Sequence, residues 1–198
     1  MLVSEKLGIP AIATGAIFRA AMGKNTAMGK QVAQFVNSGL LVPDTLTNAV
    51  VAERLKEKDC KKGFILDGYP RSLIQAKALD SFLQKAKTPL DAVLYFDVDA
   101  AVVVDRMGQR RVCSQCSTTY NLVSQKPKTE SKCDKCGAAL ITRSDDQPDS
   151  IRKRLEVYES TTQPLLKYYE KTGILKILHA SLPVQEVAKE VSQICGRS

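Results

Sequence analysis

Gly63-Phe-Ile-Leu-Asp-Gly-Tyr-Pro-Arg71 is the stretch on which the fold turns. Phe64-Ile65-Leu66 is an unbroken apolar run that ends in an acid and a glycine, the pattern of a buried parallel strand opening into a loop. Ser72 follows and Gln75 stands three residues on, a capping-box spacing that starts a helix. The same alternation recurs outward in both directions. Ile9-Pro-Ala-Ile-Ala13 reads as a short strand leaving through Thr14-Gly15, Ala92 to Asp97 as a buried apolar strand, and Ile174 to Leu178 as a last one. Helices are predicted to end before Gly8, from Ala16 to about Met22 and from Ala27 to Asn37. Another is predicted from an Asp44 N-cap through Lys58, with Leu46, Ala49, Val50 and Leu55 facing inward. Three more follow: Ala100 to about Gln109, a long helix beginning near Pro148, and Val184 to Ile194. Ile151, Leu155, Tyr158, Leu165 and Tyr169 form the inner stripe of the long one. Strands alternating with helices specify an α/β class, a parallel sheet flanked by helices. Ligands of such sheets sit beyond the carboxyl ends of the strands, and Thr14, Asp67 to Arg71 and the arginines after Asp97 all fall there.

Composition narrows the setting. The 198 residues are 44% hydrophobic and 25% charged, a globular balance that can bury a core. No apolar run approaches the length of a membrane span, and Glu5 and Lys6 interrupt any secretory h-region, so a cytoplasmic, membrane-free protein is expected. Four of six cysteines form two tight pairs, Cys113-Ser-Gln-Cys116 and Cys133-Asp-Lys-Cys136, separated by residues 117–132. That is a zinc spacing rather than a disulfide framework. Four thiolates close a tetrahedral shell and leave no open position, so the Zn²⁺ would be structural. Cys60 and Cys195 have no partner at metal spacing and read as ordinary small packing residues. The cysteine region itself is rich in Lys, Ser, Thr and Gly, which makes 112–143 a zinc-stapled insert in a core of 1–111 and 144–198.

The formal charge is +8, which suits an anionic partner. Arg19, Arg71, Arg106, Arg110, Arg111, Arg143, Arg152 and Arg154 cluster after strands or around the insert. Each alone reads as a solvated charge, but together they suit a polyphosphate, because the guanidinium fork matches phosphate oxygens. Asp67, at a strand end, can support a Mg²⁺ water shell or act as a local cap. Gln75 can complete a capping box or pair with a purine edge. Thr119 and Tyr120 can cover a base or simply pack beside the cysteines. One histidine, His179, supports no nucleophilic triad. A zinc-ribbon nucleic-acid binder is a remote alternative, weakened by 6% aromatic content with no interleaved basic stripe.

Taken in order, these segments resemble adenylate kinases with a zinc-containing lid. The resemblance runs through Gly8 to Arg19, Gly39-Leu-Leu-Val42, Phe64 to Arg71, Gln75, Asp105-Arg106 and Arg110-Arg111-Val112. It continues through the cysteine pairs, Thr142-Arg-Ser-Asp-Asp146 and Ile151-Arg-Lys-Arg-Leu155, essentially the whole chain. It implies a P-loop kinase-like fold and reversible transfer, ATP + AMP = 2 ADP, in a monomer that serves adenine nucleotide balance and takes neither nucleic acid nor membrane as partner. By matching positions AMP, in a region at about 13–42 and beyond, is held by Thr14, Arg19, Gly39, Leu40, Leu41, Val42, Gly68, Tyr69, Pro70, Arg71, Gln75, Arg143 and Arg154. ATP is held by Arg110, Thr119, Tyr120 and Leu182. Arg71, Arg106, Arg110, Arg143 and Arg154 with Asp67 are the catalytic set, Mg²⁺ accompanies ATP, and Cys113, Cys116, Cys133 and Cys136 bind Zn²⁺. The chemistry is mostly positioning and charge stabilisation.

One departure is large. The family's first strand and its G-x-x-x-x-G-K phosphate loop have no counterpart in these 198 residues. Met1 matches the helix after that loop, so roughly fifteen to twenty residues of the pattern are missing. That strand is central to the family's sheet, so its neighbours are expected to face each other unpaired. The corresponding alternative is an AMP-binding remnant with little or no kinase activity. Two smaller departures are Ala16, where the family usually has Asp, and His179-Ala-Ser-Leu182 in place of an Asp-Gly turn.

Overall fold

The computed structural model describes residues 2–23, 26–182 and 184–196, and the chain divides into two units. The larger comprises 1–35, 41–98 and 157–198. In it β1 (Ala11–Ala13) pairs in parallel with β2 (Ile65–Asp67), Ile12 opposite Leu66 and Ala13 opposite Asp67. A second parallel pair joins β3 (Val93–Asp97) to β7 (Leu175–His179), from Val93 opposite Leu175 to Asp97 opposite His179. Among the described residues, β2 and β3 are each hydrogen-bonded along one edge only. The apolar runs are consequently less buried than their composition predicts. Phe96 is 46% exposed and Ile177 58% exposed.

Helices interleave with these strands: α1 (Leu2–Leu7), α2 (Thr14–Gly23), α3 (Ala27–Asn37), α4 (Asp44–Leu55) and α5 (Leu73–Ala86), of which α4 and α5 pack together against β1. Ile12, Val51, Leu55, Cys60, Tyr69, Leu79 and Leu83 form one apolar core, and Ala76, Leu165 and Tyr169 a second. Cys60 is therefore the packing residue expected, 6% exposed. Two details of α4 differ from expectation. Pro43 occupies the N-cap position, and Asp44 is the first helical residue, its carboxylate engaged elsewhere. The buried stripe is Thr47, Val51 and Leu55, one residue round from that predicted, because Thr47 can enter the core by donating to the Val42 carbonyl. The helix stops at Leu55, and a 3₁₀ turn over Lys58–Lys62 leads into β2.

The long helix expected after Pro148 is three pieces: α7 (Pro148–Val157), a π-helical turn over Tyr158–Thr162, and α8 (Pro164–Glu170). Pro164 is the physical reason. It has no N–H to continue the ladder, and its ring crowds the carbonyl four residues back. The turn widens, and the Gln163 N–H donates five residues back to Tyr158 O at 2.8 Å. The chain closes with α9 (Val184–Ile194).

The second unit comprises 36–40 and 99–156. It holds α6 (Ala100–Gly108) and an antiparallel sheet in which β4 (Arg110–Cys113) lies between β5 (Thr119–Asn121) and β6 (Leu140–Ile141). Within it the Gly39 turn is tight: φ is +71°, and a Cβ there would lie 2.5 Å from the Ser150 carbonyl oxygen. Gly173 has a similar φ of +75° with nothing within 4 Å of its would-be Cβ. Gly173→Ala is expected to cost about 1 kcal/mol, the left-handed strain alone. Gly39→Ala, which must also displace backbone, is expected to cost about 3 kcal/mol by denaturant titration. Equal losses would show that the Ser150 contact is not rigid.

Candidate phosphate-binding turn, arginine cluster and metal centre

In the larger unit the end of β2 forms a turn with several fixed points. Gly68 has φ +70°, and its carbonyl accepts from Thr14 Oγ1 at 3.1 Å and from Arg71 Nε at 3.0 Å. A Cβ at residue 68 would fall 2.9 Å from Arg71 Nη2, so glycine is required for the guanidinium to lie there. The Tyr69–Pro70 peptide is cis. Tyr69 is buried, its hydroxyl 2.8 Å from Asn48 Oδ1, and burial pushes that hydroxyl up to about 12. Thr14 is buried as the first residue of α2, and Arg19 lies one turn on, its guanidinium folded towards Gly15. Asp67 is exposed at the strand end.

Gln75 is the best-anchored residue of the group, 2% exposed. Its Oε1 accepts from the Arg71 N–H at 2.7 Å, and its Nε2 donates to Asp44 Oδ1 at 2.7 Å. Ser72 Oγ accepts from the Gln75 N–H and donates to the same Asp44 oxygen. The capping box is thus half formed. Ser72 caps α5, but the returning bond reaches Arg71 N. Both polar atoms of the Gln75 amide are thereby engaged. Asp44, the hub of this network, was read from sequence only as a helix cap; nothing in the local pattern shows that it reaches α5.

In the second unit, Arg110 forms a two-pronged ion pair with Asp146, Nε to Oδ2 at 2.7 Å and Nη2 to Oδ1. The Asp146 side chain is fully buried, and Asp145 is nearly so. Arg154 Nη1 lies 3.4 Å from Asp146 Oδ1 and 3.2 Å from the Asp145 carbonyl, to which it donates. Burial disfavours the Arg110 charge, but the Asp146 and Asp145 carboxylates outweigh it, so the guanidinium stays ionised. Arg143 Nη2 donates to Thr119 Oγ1 at 3.3 Å, and Arg106 is exposed on the last turn of α6. The arginines are legible in the sequence; the two acids that hold them stand in Thr142-Arg-Ser-Asp-Asp146, where nothing local shows the pairing with Arg110. Gly39 and Leu40 belong to this unit, Leu41 and Val42 to the larger one, where Leu182 is also found, 42% exposed.

Tyr120 takes the packing alternative. It is 4% exposed against Cys113 and Cys133, and its hydroxyl accepts from the Asp134 N–H at 2.7 Å. Its ring is therefore not a stacking surface.

The four cysteine sulfurs lie within 4.8 Å of one another. The two pairs are built alike. Ser117 (φ 58°) and Gly137 (φ 73°) each turn the chain left-handed, and their N–H groups donate to the carbonyls of Cys113 and Cys133. The N–H groups of Cys113 and Cys133 in turn donate to Thr118 O and Ala138 O, both at 2.9 Å. Such twin turns aim two sulfurs each at one point. Separations of 3.4 to 3.6 Å across the pairs suit sulfurs about 2.3 Å from a shared tetrahedral centre. Charge agrees. The Tyr120 hydroxyl holds the Cys133 thiol down to about 6, and Thr118 lowers Cys116. The Ala138 N–H favours the Cys136 thiolate, yet the Cys113 sulfur and its neighbours push it up to about 12. Four thiolates this close cannot all ionise without a cation, and Zn²⁺ fits the donor set.

The family model described as adenylate kinase matches residues 1–174. The chain is 51% identical to the adenylate kinase of Fervidobacterium nodosum over 194 residues, 98% of this chain and 89% of that one. It is 46% identical to that of Thermosipho africanus, covering 98% and 90%, and 47% identical to that of Thermotoga neapolitana, covering 99% and 90%. With the parallel α/β core and the four-thiolate insert, these likenesses define a phosphotransferase of the nucleoside monophosphate kinase class. More narrowly, the chain belongs to the adenylate kinase family. No helix among the described residues is long and apolar enough to cross a membrane.

Proposed function

We propose that the protein catalyses reversible phosphoryl transfer between MgATP and AMP, giving two ADP in the cytosol. The observation that carries this reading is the Gly68–Arg71 turn, which fixes a guanidinium at the carboxyl end of a parallel strand. There Arg71 binds the AMP phosphate, Thr14 and Arg19 support the same nucleotide, and the Gln75 amide matches the adenine edge. Arg110, Arg143 and Arg154 neutralise the transferring phosphoryl group, with Arg106 beside them. The buried acids hold Arg110 and Arg154 ready, so little reorganisation is left for the reaction itself. Asp67, exposed at the strand end, would support the water shell of the Mg²⁺ that accompanies ATP, an ion that would offset phosphate charge. Zn²⁺ supplies no chemistry to the transfer and only folds the insert. Leu182 contributes backbone to the ATP adenine.

An ADP-release assay with MgATP and a panel of monophosphates tests this. AMP is expected to be the preferred acceptor, and preference for UMP or GMP would overturn the assignment.

A further inference from the structure

We infer that Thr162, raised by the π-helical turn, is a positioning residue for Arg71. The inference rests on the reading of Arg71 as the AMP-phosphate ligand. Arg71 is gripped at three points along its length. Its N–H donates to Gln75 Oε1 at 2.7 Å, its Nε donates to the Gly68 carbonyl at 3.0 Å, and its own carbonyl accepts from Thr162 Oγ1 at 3.0 Å. The first two come from residues within four positions in sequence. The third crosses 91 positions, and it ties the phosphate turn to a different element.

The π-helical turn makes that tie. A regular helix advances about 100° per residue, so one extra residue in the turn rotates everything after it by that amount relative to the residues before. The two adjacent threonines show the result. Thr161 Oγ1 donates back to Val157 O at 2.6 Å, four residues earlier on its own helix, the habitual partner of a helical threonine. Thr162 turns away from the helix, and its hydroxyl reaches Arg71. π-Helical turns are rare and collect at functional sites, and here the turn has a definite product: a hydroxyl aimed at the backbone of a phosphate-binding arginine.

A guanidinium aligned to a phosphate within a few tenths of an ångström needs its backbone held as well as its side chain. With Gln75 on the N–H and Thr162 on the carbonyl, both peptide planes of Arg71 are fixed before any ligand arrives. Thr162 never touches the nucleotide. Its effect on affinity must therefore be confined to the part of the ligand that Arg71 holds.

That confinement is measurable by calorimetry on the full chain, with AMP and adenosine as ligands. Thr162→Val keeps the shape and removes the donor. It is expected to weaken AMP about threefold to tenfold and leave adenosine unchanged. Thr162→Ser restores the hydroxyl and is expected to recover most of the loss. Thr161→Val, in the same turn, is expected to change neither ligand. Arg71→Ala is expected to weaken AMP by about tenfold or more, and Thr162→Val added to it is expected to cost nothing further. Equal weakening of AMP and adenosine by Thr162→Val, failure of serine to rescue, or full additivity with Arg71→Ala would each overturn the inference. If Arg71→Ala lowers AMP affinity while Thr162→Val does not, the inference alone fails. If Arg71→Ala leaves AMP affinity intact, or the unaltered chain does not bind AMP, the reading of the site fails and this inference with it.

Discussion

Asp146→Ala is expected to lower stability by about 3–5 kcal/mol and to abolish most phosphoryl transfer, the largest effect of any single substitution in the arginine cluster. The Asp146 carboxylate is fully buried, and it faces Arg110 in a two-pronged pair and Arg154 at 3.4 Å. Arg110 is itself mostly covered, with 23% of its side chain exposed. Deleting the acid leaves that cation largely desolvated and without its two-pronged partner, and an unpaired buried charge costs far more than the pair contributes. Pairing the substitution with Arg110→Met separates two effects. An apolar replacement of both partners is commonly close to neutral, so the double variant is expected to regain much of the lost stability. It is not expected to regain activity, because the guanidinium is gone. Guanidinium chloride titration reads the first effect and ADP release the second. A loss below about 1 kcal/mol for Asp146→Ala would mean that the pair behaves like a surface ion pair.

Removing the metal is the second large perturbation. The cysteine insert has a small apolar cluster, Cys113, Tyr120 and Cys133 with Ala138 and Leu140 against them. Two of those three buried residues belong to the four-thiolate cluster, so a bound metal and this core would be one structure. Structural Zn²⁺ in comparable short segments contributes about 10–16 kcal/mol of apparent binding energy at neutral pH, and that energy is folding energy. Chelation, or Cys113→Ser with Cys136→Ser, is expected to unfold 112–143 and to raise its proteolysis rate by orders of magnitude, sparing the larger unit. Elemental analysis should give one zinc per native chain and none in the double variant. Cys60→Ser is the control: it changes packing in the first core and leaves metal content alone. An insert that resists protease equally with and without metal would dismiss the staple.

Much of this was open to a reader of the sequence, for identifiable reasons. The cysteine spacing is a covalent fact of the chain, and two turns of two intervening residues can only bring sulfurs together locally. Ser72 as N-cap and the strand ends before Thr14 and Gly68 depend on backbone chemistry within a few positions. The departures share the opposite property. The strands β4 to β6 have two to four residues each and pair across the cysteine turns, so no periodicity announces them. The inner stripe of the long helix assumed unbroken 3.6-residue periodicity, which the turn before Pro164 interrupts. The exposed Phe96 and Ile177 look like core in composition, but burial is decided by what lies alongside.

The sequence by itself determined the residue types: an α/β alternation, four thiolates at metal spacing, and arginines and a glycine-bearing turn suited to phosphate. Only the tertiary structure decided how those residues are held. It set Asp146 behind Arg110, bound Asp44 to Gln75, turned Tyr120 into the insert and swung Thr162 onto Arg71. The division has one physical cause. Ligand type and local turns follow from covalent neighbours, whereas hydrogen bonds spanning 31, 36 or 91 positions exist only once separate elements have packed.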